Sequence, residues 1–482
     1  MEILSLEAST TSAKAMLYHT GRGSFDVRTH EYAAGNYKND TTIKRAESVF
    51  QQMMAAGREL ADGQKIDMIA LSGTWHSVML CNTQMVPQTP VYMWNHTGAA
   101  EVCKELRQDS NYVSHYYQKT GCMVNAVYPL FKLEMLRRQG WKLEKYLPVS
   151  QGTYNTYRMT GQRISTRCLT SGSGLLNIHT REYDPEILSE FRLREEQLSR
   201  LVDYNETYPL TDEAARLLGI TPGIPVIPTN SDGGLNQVGV GALEKGVATF
   251  SVGTSGAIRL TTDQPVLPQS PSTWCYLSPK AWLSGAATNG CCNCVDWART
   301  KLFPAGTSYG DIEAGITDQT TTPVFLPFLF GERCPGWDDD RRAGFFNVLP
   351  QHNANDLYRA VQEGVLFNLY HCYQILSEVN EPPKEIKISG GILNSPEWRQ
   401  MCADIFNRTM TIDNVVHGSL LGGVVLAMEL LGVIGDVRDY HPHITGTIEP
   451  SPEMVGLYHQ KFEHYLDSYY CGADSKMQSQ AL

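Results

Sequence analysis

The chain has 482 residues, too many for one hydrophobic core, and fits two large domains or three ordinary ones. Hydrophobic residues make up 42% of it and charged residues 19%, so it has enough apolar surface to fold and is not mainly disordered. The 40 basic and 51 acidic residues give a formal net charge of −11, so we expect no basic face for nucleic acid or for a membrane surface.

The chain is expected to be a soluble, cytoplasmic protein. Its first residues carry no basic region followed by an apolar stretch, so no signal peptide is predicted. The most apolar window, residues 418–435, is interrupted by Glu429 and by glycine and serine residues, which argues against a membrane span. We interpret the cysteine cluster as buried thiols, because no second Cys/His pair follows it at zinc spacing. The cluster comprises Cys291, Cys292 and Cys294.

Two predicted β-hairpins share one pattern. Residues 4–7 form a short strand, residues 9–12 a hydroxyl-rich turn, and residues 14–17 a second strand. The same order recurs in the second half of the chain. There we predict a strand over 247–252, a turn over 253–256 and a strand over 257–260.

A second pair of segments also matches between the halves. Strands over 66–72 and 386–389 both end in Ser-Gly, and the later one is followed by a helix with Ser395 as N-cap and Pro396 as its first residue. The apolar residues of this helix repeat on one face. They are Trp398, Met401, Cys402, Ile405 and Phe406. We therefore predict two similar α/β domains, residues 1–243 and 244–482, facing one another.

The two hairpin turns indicate phosphate binding. Turns of Gly, Ser and Thr expose backbone N–H groups and hydroxyls that bind phosphate oxygens. One such turn is weak evidence, but two at equivalent places could close on one polyphosphate from both sides of a cleft. The sequence has neither a Walker loop nor a Rossmann glycine motif after a strand, so a nucleotide would be held differently.

Asp232 follows a predicted strand and precedes a helix that should begin near Gly234. Helix N–H groups at this place should keep its carboxylate ionised. Two interpretations stay open: Asp232 is the N-cap of the helix, or it is a base that accepts a hydroxyl proton during phosphoryl transfer.

Over nearly its whole length the chain resembles the FGGY carbohydrate kinases of the actin–hexokinase ATPase superfamily, and most of all the gluconokinases. The resemblance rests on segments that occur in the family's order. They are residues 7–12 (Glu-Ala-Ser-Thr-Thr-Ser), 72–77 (Ser-Gly-Thr-Trp-His-Ser), 170–175 (Thr-Ser-Gly-Ser-Gly-Leu), 231–234 (Ser-Asp-Gly-Gly), 253–257 (Gly-Thr-Ser-Gly-Ala), 331–338 (Gly-Glu-Arg-Cys-Pro-Gly-Trp-Asp) and 389–391 (Ser-Gly-Gly). It implies two duplicated ribonuclease-H-like, actin-like ATPase domains around a central cleft, the first binding sugar and the second nucleotide.

The resemblance also implies roles for individual residues. Asp232 matches the catalytic base, and Glu7 the acidic residue beside magnesium. The residues that match the nucleotide site are Thr10, Thr11, Ser12, Gly253, Thr254, Ser255, Gly390, Gly391 and Asn394. Those that match the sugar site are Thr74, Trp75, His76 and Asn95, with Asp232. Core packing is the alternative for Trp75 and His76, and a structural corner is the interpretation we favour for Trp337 and Asp338.

The chain departs from the family pattern at several of these places. The first hairpin usually carries Asp and Gly where this chain has Glu7 and Ser9. The family's Trp-x-Asp-x-Arg segment has His96 and Gly98 at its charged positions, which removes a guanidinium suited to a carboxylate or to vicinal hydroxyls. His417 replaces a glutamate that is common before the last nucleotide-side helix.

The resemblance implies an ATP-dependent kinase for a sugar, sugar acid or polyol, with gluconate as the first candidate substrate and ATP and Mg²⁺ as cofactors. A catalytically weakened sensor of sugar or nucleotide is the alternative, and a superfamily ATPase of the chaperone or actin type is a third. The expected partners are a small-molecule carbohydrate and ATP, without nucleic acid or membrane. Homodimers are common in such kinases, although no segment here marks an interface.

Overall fold

The structure, a computed structural model, describes residues 1–32, 40–316 and 320–479. The strands of the first half are β1 (Glu2–Ala8), β2 (Ser12–His19), β3 (Ser24–Glu31), β4 (Ile43–Lys44), β5 (Met68–Gly73), β6 (Met79–Cys81), β7 (Val91–Tyr92), β8 (Leu147–Val149), β9 (Ile164–Thr166), β10 (Arg200–Val202), β11 (Tyr208–Pro209) and β12 (Pro225–Ser231). Its helices are α1 (Ala46–Ala61), α2 (Ala100–Leu106), α3 (Ser110–Thr120), α4 (Pro129–Arg138), α5 (Gln151–Thr160), α6 (Arg167–Ser171), α7 (Pro185–Glu190), α8 (Asp212–Leu218) and α9 (Asp232–Gly239).

The second half repeats this mixture of strands and helices. Its strands are β13 (Val247–Val252), β14 (Gly256–Thr262), β15 (Trp274–Ser278), β16 (Ala281–Thr288), β17 (Val324–Leu326), β18 (Gly344–Phe346), β19 (Glu385–Gly390), β20 (Met410–Asp413) and β21 (Ile444–Ile448). Its helices are α10 (Cys292–Leu302), α11 (Tyr309–Ala314), α12 (Ala354–Val379), α13 (Pro396–Phe406), α14 (Gly418–Leu430) and α15 (Pro452–Ser479).

Each half is built on one large sheet, and the two sheets share a topology. The first has the strand order β11-β12-β5-β1-β2-β3, with β1, β5 and β12 parallel and β1, β2 and β3 antiparallel. The second has the order β15-β16-β14-β13-β19-β20-β21, with β13, β19 and β20 parallel and β13, β14 and β16 antiparallel. The predicted duplication of an α/β domain is therefore confirmed. The boundary predicted between residues 243 and 244 falls in the connection from α9 to β13 and stays a prediction.

The register of the central strands explains why the hairpin turn of each half lies beside the Ser-Gly loop of the same half. Ala8 at the end of β1 lies opposite Gly73 at the end of β5, and Val252 at the end of β13 lies opposite Gly390 at the end of β19. In parallel strands the carboxyl ends share one edge, so each hairpin turn lies beside a Ser-Gly loop. Ligands of open α/β sheets bind at this edge.

Helix α13 forms as its sequence predicts. The Ser395 hydroxyl accepts a hydrogen bond from the backbone N–H of Trp398 at 3.1 Å, and the five apolar residues of the predicted face are buried. The helix does not follow β19 directly, however. A short 3₁₀ turn, Gly391–Asn394, separates them, because Gly390 turns the chain with a φ of 97°.

Helix α14 joins the two halves, because it packs against α9 and against β1 and β5 of the first sheet. A Cβ atom on Gly422 would lie 1.9 Å from the carbonyl oxygen of Leu235, so the two helix backbones touch where they cross. Within the apolar window that begins at residue 418, residues 420–427 are buried. Over the described ranges, the structure contains no helix whose length and low polarity would let it cross a membrane.

Candidate active site

A cleft of about 510 Å³ separates the turns of the two predicted hairpins. Its lining includes Thr10, Thr11, Trp94, Asn95, His96, Thr254, Ser255 and Arg333. The structure thus brings the first hairpin, the second hairpin and the segment that departs from the family's Trp-x-Asp-x-Arg pattern to one cavity. They lie far apart in the sequence and meet because both sheets present their carboxyl edges to the cleft.

The first hairpin turn presents hydroxyls to the cleft. Thr10 is half-buried and Thr11 is exposed, and the indole N–H of Trp94 donates to the Thr10 hydroxyl at 3.0 Å. The Ser9 hydroxyl donates to the backbone carbonyl of Ser12 at 2.7 Å and thereby closes the turn. Ser12 itself is buried and lies outside the cleft lining, so it supports the turn from below.

The second hairpin turn is held against the start of α10. Its backbone closes with Gly253 N–H donating to the Ser255 carbonyl at 3.1 Å, which leaves Thr254 and Ser255 exposed at the cleft. The backbone N–H of Cys292 donates to the Gly253 carbonyl at 2.8 Å. The turn therefore opposes the first hairpin in a fixed position.

Asp232 is the first residue of α9, and Ser231 is the N-cap. The Ser231 hydroxyl accepts from the Gly234 N–H at 3.0 Å, so the capping interpretation of Asp232 is wrong and its carboxylate is not needed as a cap. Its Oδ1 accepts from the N–H of Gly233 at 2.8 Å.

The charge state of Asp232 is set by opposing effects. Burial and then the charge of Glu7 raise the pKa of Asp232 to about 6, while the Gly233 N–H and the nearby Arg259 guanidinium lower it. We expected the helix N–H groups to keep the carboxylate ionised, but burial outweighs them. The group is still mostly ionised at neutral pH, close to its point of protonation.

Glu7 lies buried beside the first turn. Its Oε1 accepts from the Ser72 hydroxyl at 3.1 Å and from the Ser419 hydroxyl, and its Oε2 lies 3.2 Å from the Lys14 Nζ. In the part of the chain that the structure describes, no group of three or more His, Cys, Asp or Glu side chains could hold a metal ion. A single carboxylate such as Glu7 could accept a hydrogen bond from a water ligand of an ion held by phosphate oxygens.

Three predicted sugar-site residues lie in a buried wall and do not line this cleft. Thr74 is buried, and so is Trp75, whose indole N–H donates to the Cys168 carbonyl at 2.9 Å and whose ring centroid lies 5.0 Å from that of Tyr276. Trp75 is thus packed in the core, and its role at a sugar site stays a prediction.

His76 is a neutral, strained residue of the same wall. Its Nδ1 donates to the Gly172 carbonyl at 2.6 Å, and its φ of 64° is uncommon for a residue with a side chain. Burial, followed by the charges of Arg333 and Lys132, holds the pKa of His76 well below its ordinary value. Asn95, in contrast, lines the cleft, and its Oδ1 is buried with no hydrogen-bond partner among the described residues.

Sequence reasoning missed two arginines of the second half. Arg259 lies on β14, two residues after Ala257 of the second hairpin segment, and strand alternation places both side chains on one face. That alternation was the available signal. Arg333 lay within a segment that carried the family resemblance but received no role, and it lines the cleft.

A second cavity, of about 470 Å³, opens beside the second hairpin. Gly391 and Asn394 line it as predicted, whereas Gly390 lies at the preceding turn, where a Cβ would come within 2.4 Å of the Val252 carbonyl oxygen. Another part of the wall comes from Trp398 of the predicted helix α13, to which no site role was given. Further wall residues lie on helices that carry no motif and were therefore missed, and they include Tyr309, Glu313, Tyr358 and Gln362.

The cysteine cluster, Trp337 and His417 were also singled out from the sequence, and the structure shows where each of them lies. Cys291 and Cys294 are buried thiols as expected, and Cys292 is half-buried at the second cavity. Trp337 is buried with its indole N–H donating to the Ser272 carbonyl at 2.9 Å, which supports a structural corner. His417 immediately precedes α14, with a φ of 60°.

Comparisons with known proteins agree with this geometry. Residues 2–239 match the N-terminal domain of the FGGY family of carbohydrate kinases, and residues 248–430 match its C-terminal domain. A gluconokinase of Bacillus subtilis (strain 168) is 27% identical over 472 residues, which cover 93% of this chain and 91% of that protein. A xylulose kinase of Escherichia coli (strain K12) is 28% identical over 349 residues, 71% of each chain.

The fold agrees as well. The crystal structure of a gluconate kinase from Lactobacillus acidophilus superposes with a TM-score of 0.93 at 26% identity and covers 98% of both chains. The resemblance therefore spans both halves and the cleft between them. The chain belongs to the FGGY family of carbohydrate kinases, which transfer a phosphoryl group from ATP to a carbohydrate hydroxyl, and it has their two-domain, actin-like ATPase fold.

Proposed function

We propose that this kinase phosphorylates a primary hydroxyl of a sugar acid, with gluconate as the first candidate, and that Asp232 is its catalytic base. The observation that carries the proposal is Asp232 itself, a buried carboxylate with a pKa of about 6 at the start of α9, whose charge interacts with that of Glu7 beside the first hairpin turn. The gluconokinase and gluconate kinase relatives support the choice of substrate.

In the proposed reaction the substrate hydroxyl attacks the γ-phosphorus of ATP in line. The new bond joins the hydroxyl oxygen to phosphorus, the bond from phosphorus to the β–γ bridging oxygen breaks, and ADP leaves. Asp232 accepts the hydroxyl proton. A base with a pKa near 6 is ionised at neutral pH and still basic enough to share that proton as the new bond forms.

The two turns would hold the phosphates. Thr10 and Thr11 offer hydroxyls from one side, and Thr254 and Ser255 offer hydroxyls from the other. Positioned donors of this kind stabilise the charge on the moving phosphoryl group. The cavity beside Gly391 and Asn394 would take the rest of the nucleotide, because it adjoins the second turn and has about 470 Å³ of space.

Mg²⁺ would enter with ATP, and Glu7 would orient it through water. When bound, the ion supplies positive charge that offsets the charge of the phosphate oxygens. We further propose that the enzyme works in the cytoplasm, where ATP is available, and that it forms a homodimer, as the family resemblance suggests.

A second candidate function, a sensor that binds sugar or nucleotide without turnover, is favoured by one observation. Glu7 already accepts hydrogen bonds from Ser72 and Ser419 and pairs with Lys14, so its carboxylate has little capacity left for another partner.

ADP release separates the two candidates. It would be measured with ATP and Mg²⁺ over gluconate, other sugar acids, pentuloses, glycerol and tetritols. A kinase gives a strong signal with one substrate class. A flat panel, with gluconate or ATP still raising the melting temperature, would exclude the catalytic proposal and favour the sensor.

A further inference from the structure

Two arginines of the second half carry buried guanidinium nitrogens at or near the cleft. Arg333 lines the cleft, and Arg259 interacts electrostatically with Arg333 and with Asp232. The Nε atoms of Arg259 and Arg333 are both buried, and neither donates a hydrogen bond to an acceptor in the described part of the chain. The Arg333 guanidinium lies 5.9 Å from the centre of the Trp337 ring. Buried cationic donors without acceptors are costly, so they indicate a missing ligand.

The two arginines are neighbours in a region of positive potential. Burial lowers the pKa of Arg259, the charge of Arg333 lowers it further, and Asp232 opposes both effects. Arg333 and Lys132 also lower the pKa of His76. Lys132 is itself buried, with its Nζ 2.7 Å from the Val127 carbonyl oxygen.

The nearby carboxylates do not neutralise this charge. Asp339 lines the cleft, but it lies 3.4 Å from the Arg107 guanidinium and accepts from the Asn125 amide at 3.3 Å. Asp232 is assigned to proton transfer. Arg333 therefore lines the cleft with a guanidinium whose charge an anionic substrate would complement.

We propose that Arg259 and Arg333 bind the carboxylate of a sugar-acid substrate and make the enzyme selective for aldonates over neutral sugars and polyols. The proposal rests on the kinase function proposed above and names the specificity residues for it. An aldonate carries its carboxylate and its terminal hydroxyl at opposite ends, so the hydroxyl can lie at Asp232 while the carboxylate extends toward Arg333. Planar guanidinium groups suit a carboxylate, since they can donate two parallel hydrogen bonds to it.

The first half has glycine at the position where the family pattern carries an arginine, Gly98. A Cβ there would lie 2.4 Å from Cε1 of His96 and 2.7 Å from the sulfur of Met135, so a side chain at this position would require both of these side chains to move. Arg259 and Arg333 belong to the half opposite Asn95 and His76. A carboxylate bound by them would link the two halves, so a sugar acid would favour closure of the cleft.

The experiment compares Arg259→Gln and Arg333→Gln with the wild-type enzyme on matched substrates. Gluconate, galactonate and xylonate are each paired with the alditol of the same carbon skeleton, and kcat/KM is measured for every substrate and for ATP. Arg259→Lys and Arg333→Lys keep the charge without the planar fork. Arg22→Gln, in an exposed turn, is the control for loss of one positive charge.

We expect wild-type enzyme to prefer one aldonate over its alditol by at least about 100-fold. Either glutamine variant should lower kcat/KM for that aldonate by roughly 100-fold, mainly by raising KM. The preference for the aldonate over its alditol should decrease accordingly, and the KM for ATP should not change. The lysine variants should be intermediate, and Arg22→Gln should match wild type.

Other results would overturn the inference in distinguishable ways. An equal loss on aldonate and alditol with a raised KM for ATP would mean that the arginines bind phosphate. If the wild-type enzyme phosphorylated only neutral substrates, the proposed kinase function would stand and the proposed carboxylate site would be wrong. Absence of turnover on every substrate would instead contradict the proposed function itself.

Discussion

At the scale of single residues, burial and hydrogen bonding have opposite effects on the pKa of Asp232. Burial and the Glu7 charge raise its pKa, and the Gly233 N–H and Arg259 lower it, with a net value of about 6. An exposed aspartate titrates near 3.9 and would be a weaker base for a hydroxyl proton. The environment of Asp232 therefore suits it to base catalysis near neutral pH.

The pH dependence of the free enzyme should report this value. Because the base must be ionised, kcat/KM for the sugar should be constant above pH 7 and fall about tenfold per pH unit below pH 6. Initial rates from pH 4.5 to 8.5, with protein stability checked at each pH, measure this fall of kcat/KM at low pH. A midpoint near 4 would show that Asp232 is not perturbed or is not the base.

The same shift predicts a gain in stability when the charge is removed. The folded-state pKa of about 6 lies above the unfolded value, so protonation favours the fold, and this stabilisation is lost as pH rises from about 4 to about 6. At pH 7.5 the ionised carboxylate costs up to about 3 kcal/mol. Asp232→Asn should therefore raise the melting temperature by a few degrees at pH 7.5 and by less at pH 5. Equal melting temperatures at pH 7.5 would contradict this cost.

At the scale of secondary-structure elements, the crossing of α9 and α14 depends on glycine. Gly422→Ala would place a methyl group 1.9 Å from the Leu235 carbonyl oxygen, and this contact can be relieved only by moving one helix. We expect a loss of about 1–3 kcal/mol in the free energy of unfolding, measured by urea denaturation. Gly456→Ala is the control, because this exposed glycine of α15 has open space around it and should gain up to about 1 kcal/mol. Equal stability of the two variants would show that the crossing can relax.

The elements also show what could be predicted from sequence. The hairpins and α13 were predictable because their signals are local, namely turn residues between strands and Ser395 before Pro396. For Asp232 the sequence left the N-cap and base interpretations open, and only side-chain geometry shows that Ser231 caps α9 instead.

Long-range contacts were harder to predict from the sequence. Tyr309 reaches the second cavity only through the packing of distant segments, and no short pattern in the sequence marks it. The roles of the predicted site residues stay predictions, although the structure brings many of them to one cleft.

At the scale of the whole molecule, contacts at the rim link the two halves. The Arg107 guanidinium, next to α2, donates to the Trp337 carbonyl and lies 3.4 Å from the Asp339 carboxylate of the other half. Such contacts hold the halves together over the cleft and would help to exclude water from the phosphates.

Weakening the contact of Arg107 with the other half should let water compete better with the sugar hydroxyl for the γ-phosphoryl group of ATP. We expect Arg107→Gln to raise ADP release in the absence of sugar several-fold relative to sugar-dependent turnover. Arg58→Gln is the matched control, since Arg58 forms an exposed pair with Asp62 on α1 that should contribute little. An unchanged ratio in Arg107→Gln would show that the rim contact does not control closure.

The most direct test of catalysis in this cleft is the turnover number of Asp232→Asn beside that of wild type, at saturating ATP and gluconate. If Asp232 is the base, kcat should fall by about 100-fold to 10,000-fold, while calorimetry still detects binding of both ligands. A variant that keeps wild-type turnover would contradict the role of Asp232 and, with it, the assignment of the cleft between the two hairpins as the catalytic site.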